Sequence, residues 1–202
     1  MTATPETMAT LRTLFKTVNK LVLLQWRLGL GWAMNLWPQG LGAYLVIVHT
    51  GRKTGLRRRT PVNYAQVDGE IYCTAGFGRE SHWYRNITAN PTVEIWLPDG
   101  RWQARAEDIT GSGQVALLRQ VLINSGFVAP LMGIYPHTMN DDDLLRVTAD
   151  YRLIHLKRLS PADGANGPGD LKWLWLPLLL LLVGRMLLNR KRANPKTPTS
   201  AP

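Results

Sequence analysis

RTPVNYAQVDGEIYCTA, residues 59–75, decides the fold. Asp68-Gly69 sits between two runs rich in β-branched and aromatic residues. An Asp-Gly pair at that place is a strong hairpin signal, because glycine tolerates the positive φ that a tight two-residue turn requires. Arg59–Val67 and Glu70–Ala75 are therefore predicted as paired antiparallel strands. Upstream, Ala43–His49 is a continuous apolar run, the pattern of a buried strand. Downstream, Ser81–Ala89 reads as a short helix closed by Asn90-Pro91. Thr92–Leu97 and Arg101–Ile109 flank Pro98-Asp99-Gly100, with proline and glycine where turn geometry wants them. In Arg101–Ile109, Trp102, Ala104 and Ala106 alternate with Gln103, Arg105 and Glu107. Gln114–Asn124 is predicted helical with Gly126 as its cap. A second helix is expected to begin at Asn140, with Asp141, Asp142 and Asp143 in its first turn, where the helix dipole favours acids. Tyr151–Leu159 reads as a last strand. Five or six short strands with hairpins and few helices predict a mainly β fold with flanking helices (α+β), a small closed barrel with helices at its ends.

The segments around this barrel, 41–159, are of a different kind. In the N-terminal segment, 1–40, Leu11, Leu14, Phe15, Val18, Leu21 and Val22 recur at helical spacing, with Arg12, Lys16 and Lys20 between them. Leu23, Leu24, Trp26, Leu28, Trp32 and Trp37 widen the apolar side. Two readings stand: a helix packed on its own domain, or one lying in a membrane interface with tryptophans at headgroup depth. Gln25 and Arg27 interrupt this region and no cleavage pattern follows, so no secretory signal is expected. SPADGANGPGD, 160–170, is a Gly/Pro linker. Beyond it, 171–190 reads as a hydrophobic membrane-anchor helix and 191–202 as a basic disordered tail. The apolar run from Trp173 to Leu188 is shorter than the roughly 20 residues of an ordinary span. A tilted crossing and an interfacial or re-entrant anchor both remain open. By the positive-inside rule the basic tail belongs on the cytoplasmic side of the cell membrane.

The chain of 202 residues carries a net charge of +10, and the excess is concentrated. HTGRKTGLRRRTP, residues 49–61, holds Arg52, Lys53, Arg57, Arg58 and Arg59 without a carboxylate. Arg185, Arg190, Lys191, Arg192 and Lys196 form a second cluster, and the remaining Lys+Arg and Asp+Glu are equal at 14 each. Such local clusters call for local anionic partners. A glycine-containing basic loop after a buried strand can cradle phosphate, since the backbone approaches closely at Gly and the cations add charge. A solvated basic turn is the plain alternative, and neither a Walker loop nor G-x-G-x-x-G is present. Gly76-Phe77-Gly78 offers a second close approach, and the helix that begins near Ser81-His82-Trp83-Tyr84 could present N–H groups and aromatic faces to a flat anion. One cysteine, Cys73, in a strand, reads as a small buried hydrophobe, and with four scattered histidines no metal spacing exists.

Taken in order, T-G-R-K-T-G at 50–55, Arg58, Pro61, W-Y-x-N at 83–86 and A-N-P at 89–91 resemble the deazaflavin-dependent nitroreductase and quinone reductase family over roughly residues 20–158. The resemblance implies a split β-barrel of the FMN-binding-like kind, with coenzyme F420 as cofactor, a deazaflavin bearing a phosphodiester and a polyglutamate tail. It implies that Arg52, Lys53, Thr54, Gly55, Arg58 and Arg59 meet phosphate and tail. Thr60, Pro61 and Val62 would run beside the ring system, Ala75, Gly76 and Phe77 under it, and His82, Trp83, Tyr84 and Asn86 at the helix start that closes the site. Tyr135-Pro136 resembles a family Tyr-Pro on the substrate side. Tyr135 or His137 is then the expected proton donor in catalysis, with a packed aromatic as the other reading of Tyr135. The chain departs from the family at Gly76, where some members carry serine, and after Pro136, where His137, Thr138 and Met139 replace further tyrosines.

Hydride transfer from reduced F420 to a quinone or nitro-type acceptor at the membrane is the expected reaction, with the protein supplying binding and orientation. A lipid-soluble quinone and membrane lipid are the expected partners, and the family likeness also implies a homodimer. The alternative is a split barrel that binds a cofactor without turnover, or that uses FMN. Nucleic acid is not an expected partner: Arg57-Arg58-Arg59 opens a strand, and few exposed aromatics interleave with it.

Overall fold

The structure, a computed structural model, describes residues 5–164 and 166–193. Six strands, β1 (Tyr44–Thr50), β2 (Arg57–Val67), β3 (Glu70–Ala75), β4 (Thr92–Leu97), β5 (Gly100–Asp108) and β6 (Arg152–Pro161), close into an antiparallel barrel in the order β1-β2-β3-β6-β5-β4. The Asp68-Gly69 hairpin is as predicted: both residues have positive φ, 52° and 84°, and Val67 pairs with Glu70. Between β4 and β5 the turn is the two residues Pro98 and Asp99, with Gly100 already paired to Leu97. Closure comes from pairs far apart in sequence, Ile47 with Ile95 and Cys73 with Ile154.

Strand pleating sends alternate residues to opposite faces. Leu45, Ile47, Val62, Ile71, Cys73, Ile95 and Leu156 fill the interior. Cys73 is fully buried there, and burial pushes its thiol pKa up. Helix α4 (His82–Ala89) adds Tyr84 and Ile87 to this interior cluster. A second cluster joins the outward Ala65 and Leu153 to Leu118, Val121 and Leu122 of α5 (Val115–Ile123), to Ala129 of α6 (Val128–Leu131) and to Leu144 of α7 (Asp141–Val147). Asn140 caps α7 as expected, its side chain accepting from the Asp143 amide.

The third cluster joins the N-terminal helix to the barrel. The N-terminal helix, α1 (Pro5–Arg27), lays Val22 and Trp26 on Tyr44, Val46, Val48 and Trp96, the outer face of β1 and β4. Its own domain thus takes one side of α1, while Leu21 and Leu24 stay exposed. Two short helices follow, α2 (Gly31–Met34) and α3 (Pro38–Leu41), and around them Trp32, Leu36, Trp37 and Leu41 are also exposed.

Helix α8 (Trp175–Ala193) starts against the end of α1. Arg27 pairs with Asp170 at 3.0 Å, the Leu171 amide donates to Arg27 O, and Trp175 Nε1 donates to Leu28 O at 3.0 Å. Among the described residues no helix is long and apolar enough to cross a membrane. That corrects the transmembrane reading of 171–190. The uninterrupted apolar part of α8, Trp175–Val183, spans only about 14 Å at about 1.5 Å per residue, against about 30 Å of hydrocarbon. Leu176 and Leu178–Val183 are nevertheless all exposed. The tail from 194 onward, with Lys196, and the side chains of Arg190, Lys191 and Arg192 lie outside the described residues.

Candidate active site

A cavity of about 400 Å³ opens beside β2, between α1 and the α5–α6 region. Of the residues expected at a site, Thr60, Pro61, Val62, Gly76, Phe77, His82 and Trp83 line it. Ser81, the N-cap of α4, also lines it and makes no side-chain capping bond, so the first-turn N–H groups of this helix receive none from it. The local fold follows from two tight contacts. Gly78 has φ +50°, and a Cβ there would lie 2.1 Å from the Asp150 carbonyl oxygen, so only glycine lets this turn pass under the start of β6. At Gly76 a Cβ would meet the Tyr151 ring at 3.3 Å.

Several lining residues were not legible beforehand. Lys16, Val18 and Asn19 of α1 form part of the wall, as do Met132 and Tyr151. Burial pushes the Tyr151 phenol up to about 12, so it stays protonated at neutral pH. Its placement beside Gly76 has no sequence signal, because it depends on the approach of two loops. Tyr135 and His137 lie outside the lining and are exposed; Tyr84 turns inward and donates to Asp108 Oδ2 at 2.5 Å; Ala75 is buried in the barrel.

The basic loop does not act as one unit. Gly51–Leu56 is held by the Gly51 amide on Leu56 O and by the Gly55 amide on Gly51 O. Arg57 pairs with the buried Glu94 on the outer face of β4. Arg59 lies over the Trp96 ring, 5.5 Å from its centroid, and donates to Asn166 O. Arg52 donates to Asn86 Oδ1 from both its amide, at 3.2 Å, and Nη1, at 3.0 Å. Lys53 and Arg58 make no hydrogen bond or ion pair within the described chain, and both are exposed. Two cations are thus uncommitted, on a loop that reaches the cavity at Thr60. Thr54 and Gly55 complete the loop's turn, exposed and outside the cavity lining.

Behind the wall sits a buried polar chain. Asn86, 3 % exposed, is 3.2 Å from His49 Nδ1, and His49 Nε2 is 3.0 Å from Thr60 Oγ1. Burial first, and then the positive charge of Arg58, lower the His49 pKa to about 4. Between about 4 and the unfolded value near 6.5 the unfolded chain binds a proton that the folded chain refuses. Stability from this group is full above that window and is lost as pH falls through it, by about 3 kcal/mol in all. Urea unfolding from pH 7 down to about 4 is expected to show this loss in the wild type. The difference between the wild-type and His49→Gln curves isolates it from the carboxylates, and parallel curves would refute it.

No curated protein matches the chain. Residues 34–126 match the sequence profile of the F420H(2)-dependent quinone reductase family. Among solved structures, an F420-H2 dependent reductase is 18 % identical, covers 56 % of this chain and 93 % of its own, and has a TM-score of 0.41. A protein described as a domain-swapped dimer has the same identity and TM-score, over 56 % of this chain and 79 % of its own. The heme storage protein HutZ from Vibrio cholerae is 15 % identical over 69 % of this chain and 94 % of its own, at a TM-score of 0.39. The assignment rests on the sequence match, which contains β1, the basic loop, β2, β3, α4 and the β4–β5 hairpin. These residues are 93 of the chain's 202, and through them the chain, a six-stranded barrel with flanking helices, is similar to the F420H(2)-dependent quinone reductase family.

Proposed function

We propose that this protein passes hydride from F420H2 to a quinone-type acceptor, with nitro compounds as further acceptors, at a lipid surface. The observation that carries the reading is the pairing of the cavity with two uncommitted cations, Lys53 and Arg58, on the loop that adjoins it. The residues fit the coenzyme: the cavity has aromatic walls in Phe77, Trp83 and Tyr151 for a flat ring, and the loop has charge for an anionic tail. Bound and reduced, the coenzyme supplies a hydride from C5 of its deazaflavin. The chain's own part is to bind, orient and exclude water. Lys53 and Arg58 hold phosphate and carboxylates. The open first turn of α4 adds backbone donors. Tyr151 Oη, kept protonated by burial, takes the proton-holding role expected of Tyr135 or His137, which lie outside the cavity. Where some resembling proteins place a serine, this chain has Gly76, with Tyr151 Oη 3.4 Å from where a Cβ would stand.

The lipid surface is proposed from α8. Six leucines and a valine exposed on one helix are unfavourable in water, each Leu or Val being worth about 1.5–3 kcal/mol when buried. Trp173 and Trp175 suit the headgroup zone, and no acid follows Asp170, so anionic lipid on the cytoplasmic side is favoured. A homodimer belongs to the same reading. The test mixes the full chain with F420H2 and menadione, with and without vesicles of phosphatidylcholine and phosphatidylglycerol. Oxidation of F420H2 that depends on both protein and quinone, with the protein sedimenting on the vesicles, is expected. Tight F420 binding without turnover would replace the reading with a cofactor-binding protein. Binding of FMN in preference to F420 would replace the cofactor.

A further inference from the structure

We infer that His49 is a positioning residue, its Nε2–H fixing the Thr60 hydroxyl as a hydrogen-bond donor into the cavity. The inference rests on the cofactor reading only for the identity of the acceptor. Its polarity follows from donor and acceptor chemistry, link by link. Asn86 Oδ1 receives two Arg52 donors, at 3.2 and 3.0 Å. A carbonyl oxygen must therefore face Arg52, and the amide nitrogen must face His49, 3.2 Å away. That nitrogen can only donate, so His49 Nδ1 accepts and carries no proton. The ring is neutral at physiological pH, so its one proton sits on Nε2, which faces Thr60 Oγ1 at 3.0 Å, and the Thr50 backbone is a further hydrogen-bond partner of the ring. The reverse polarity would put a second donor against Arg52.

A hydroxyl that has accepted this bond still has its own proton to give. No atom among the described residues accepts it. Thr60 and Val62 share the inward parity of β2, and Thr60, near the start of that strand, lines the cavity. Its wall therefore presents a donor of set direction, suited to a carbonyl oxygen or imine nitrogen on the edge of a flat heterocycle. The setting is done from Arg52, on the cation-bearing loop, through two buried residues. His49 touches neither the cavity nor a ligand, since Thr60 stands between.

The test has one arm without ligand and one with it. Long-range ¹⁵N correlation spectra of the cofactor-free full chain at neutral pH are expected to show His49 neutral, with its proton on Nε2. A charged ring, or a proton on Nδ1, overturns the inference. In the second arm F420 binding is read by fluorescence titration. Thr60→Val is expected to weaken it about threefold to tenfold, the scale of one neutral hydrogen bond, while Thr60→Ser retains it. His49→Phe is expected to match Thr60→Val, and the double variant to be no weaker than either. His49→Gln, whose amide can still donate to Thr60, is expected to recover most of the affinity and guards against a folding defect in His49→Phe. Wild-type affinity in Thr60→Val, or a further loss from His49→Phe in that background, overturns the inference. Failure of the wild type to bind F420 would defeat the cofactor reading alone, and the spectra would still decide the relay.

Discussion

Lys53→Ala combined with Arg58→Ala is expected to weaken F420 binding by about 10²-fold or more, since each removes a charge-assisted contact of about 1.5–3 kcal/mol. Arg59→Ala, in the same loop, is expected to change it by no more than about threefold, the effect of one exposed charge at a distance. The contrast comes from the structure and not from charge counting. Arg59 is spent on Trp96 and Asn166, and Arg57 on Glu94. Fluorescence titration at two salt concentrations checks it, because the Lys53 and Arg58 contribution should shrink as salt rises. Equal losses from Arg59→Ala and from the double variant would show that the loop binds as an undivided cloud of charge.

The largest effect on stability is expected at Glu94. Glu94→Ala should cost about 3–5 kcal/mol, the scale for breaking a buried ion pair from one side. The carboxylate is 6 % exposed and takes bonds from Trp96 Nε1 at 2.6 Å, Arg101 Nε at 3.0 Å and Arg57. Burial pushes its pKa up, but the bonds from Arg101 and Trp96 and the charges of Arg101 and Arg57 win, leaving it below the usual carboxylate range. Removing it strands Arg101, itself only 12 % exposed, beside Gly164 and Gly167. Urea denaturation of wild type, Glu94→Ala and Glu94→Gln measures the cost. Glu94→Gln keeps an acceptor for Trp96 and should lose less. A loss under about 1 kcal/mol in Glu94→Ala would mean that the pair is solvated like a surface bridge.

These two sites show what a sequence can and cannot carry. The hairpin at Asp68-Gly69 was legible because turn chemistry is local, and so were the strand alternation at Trp102–Glu107 and the cap at Asn140. Gly76, Phe77, His82 and Trp83 could be drawn together because each lies beside a glycine turn or a helix start. Glu94 gave no warning: one acid in an apolar strand looks like a surface position until Arg101 arrives from the adjacent β5 and Arg57 from β2, across β1. His49 looked like the end of an apolar run, and its partner Asn86 comes from 37 residues away. The five cations of the loop read as one feature because composition cannot tell which strand face each side chain takes. Parity along β2 does, sending Arg57 and Arg59 outward together. The side of α1 that would be covered was likewise undecided until Val22 and Trp26 met β1 and β4.

One attachment bears on how this protein should be handled. Chain ends beyond a Gly/Pro linker are routinely trimmed for expression, and 160 invites the cut. Here the trimmed piece is a brace. Asp170, Leu171 and Trp175 hold residues 27 and 28 by an ion pair and two hydrogen bonds. Ten residues back along the same rigid rod, some 15 Å by helical rise, Lys16, Val18 and Asn19 form part of the cavity wall. A shortened protein would keep its barrel and release the foot of that rod. Kinetics measured on it would describe a looser enzyme than the full chain.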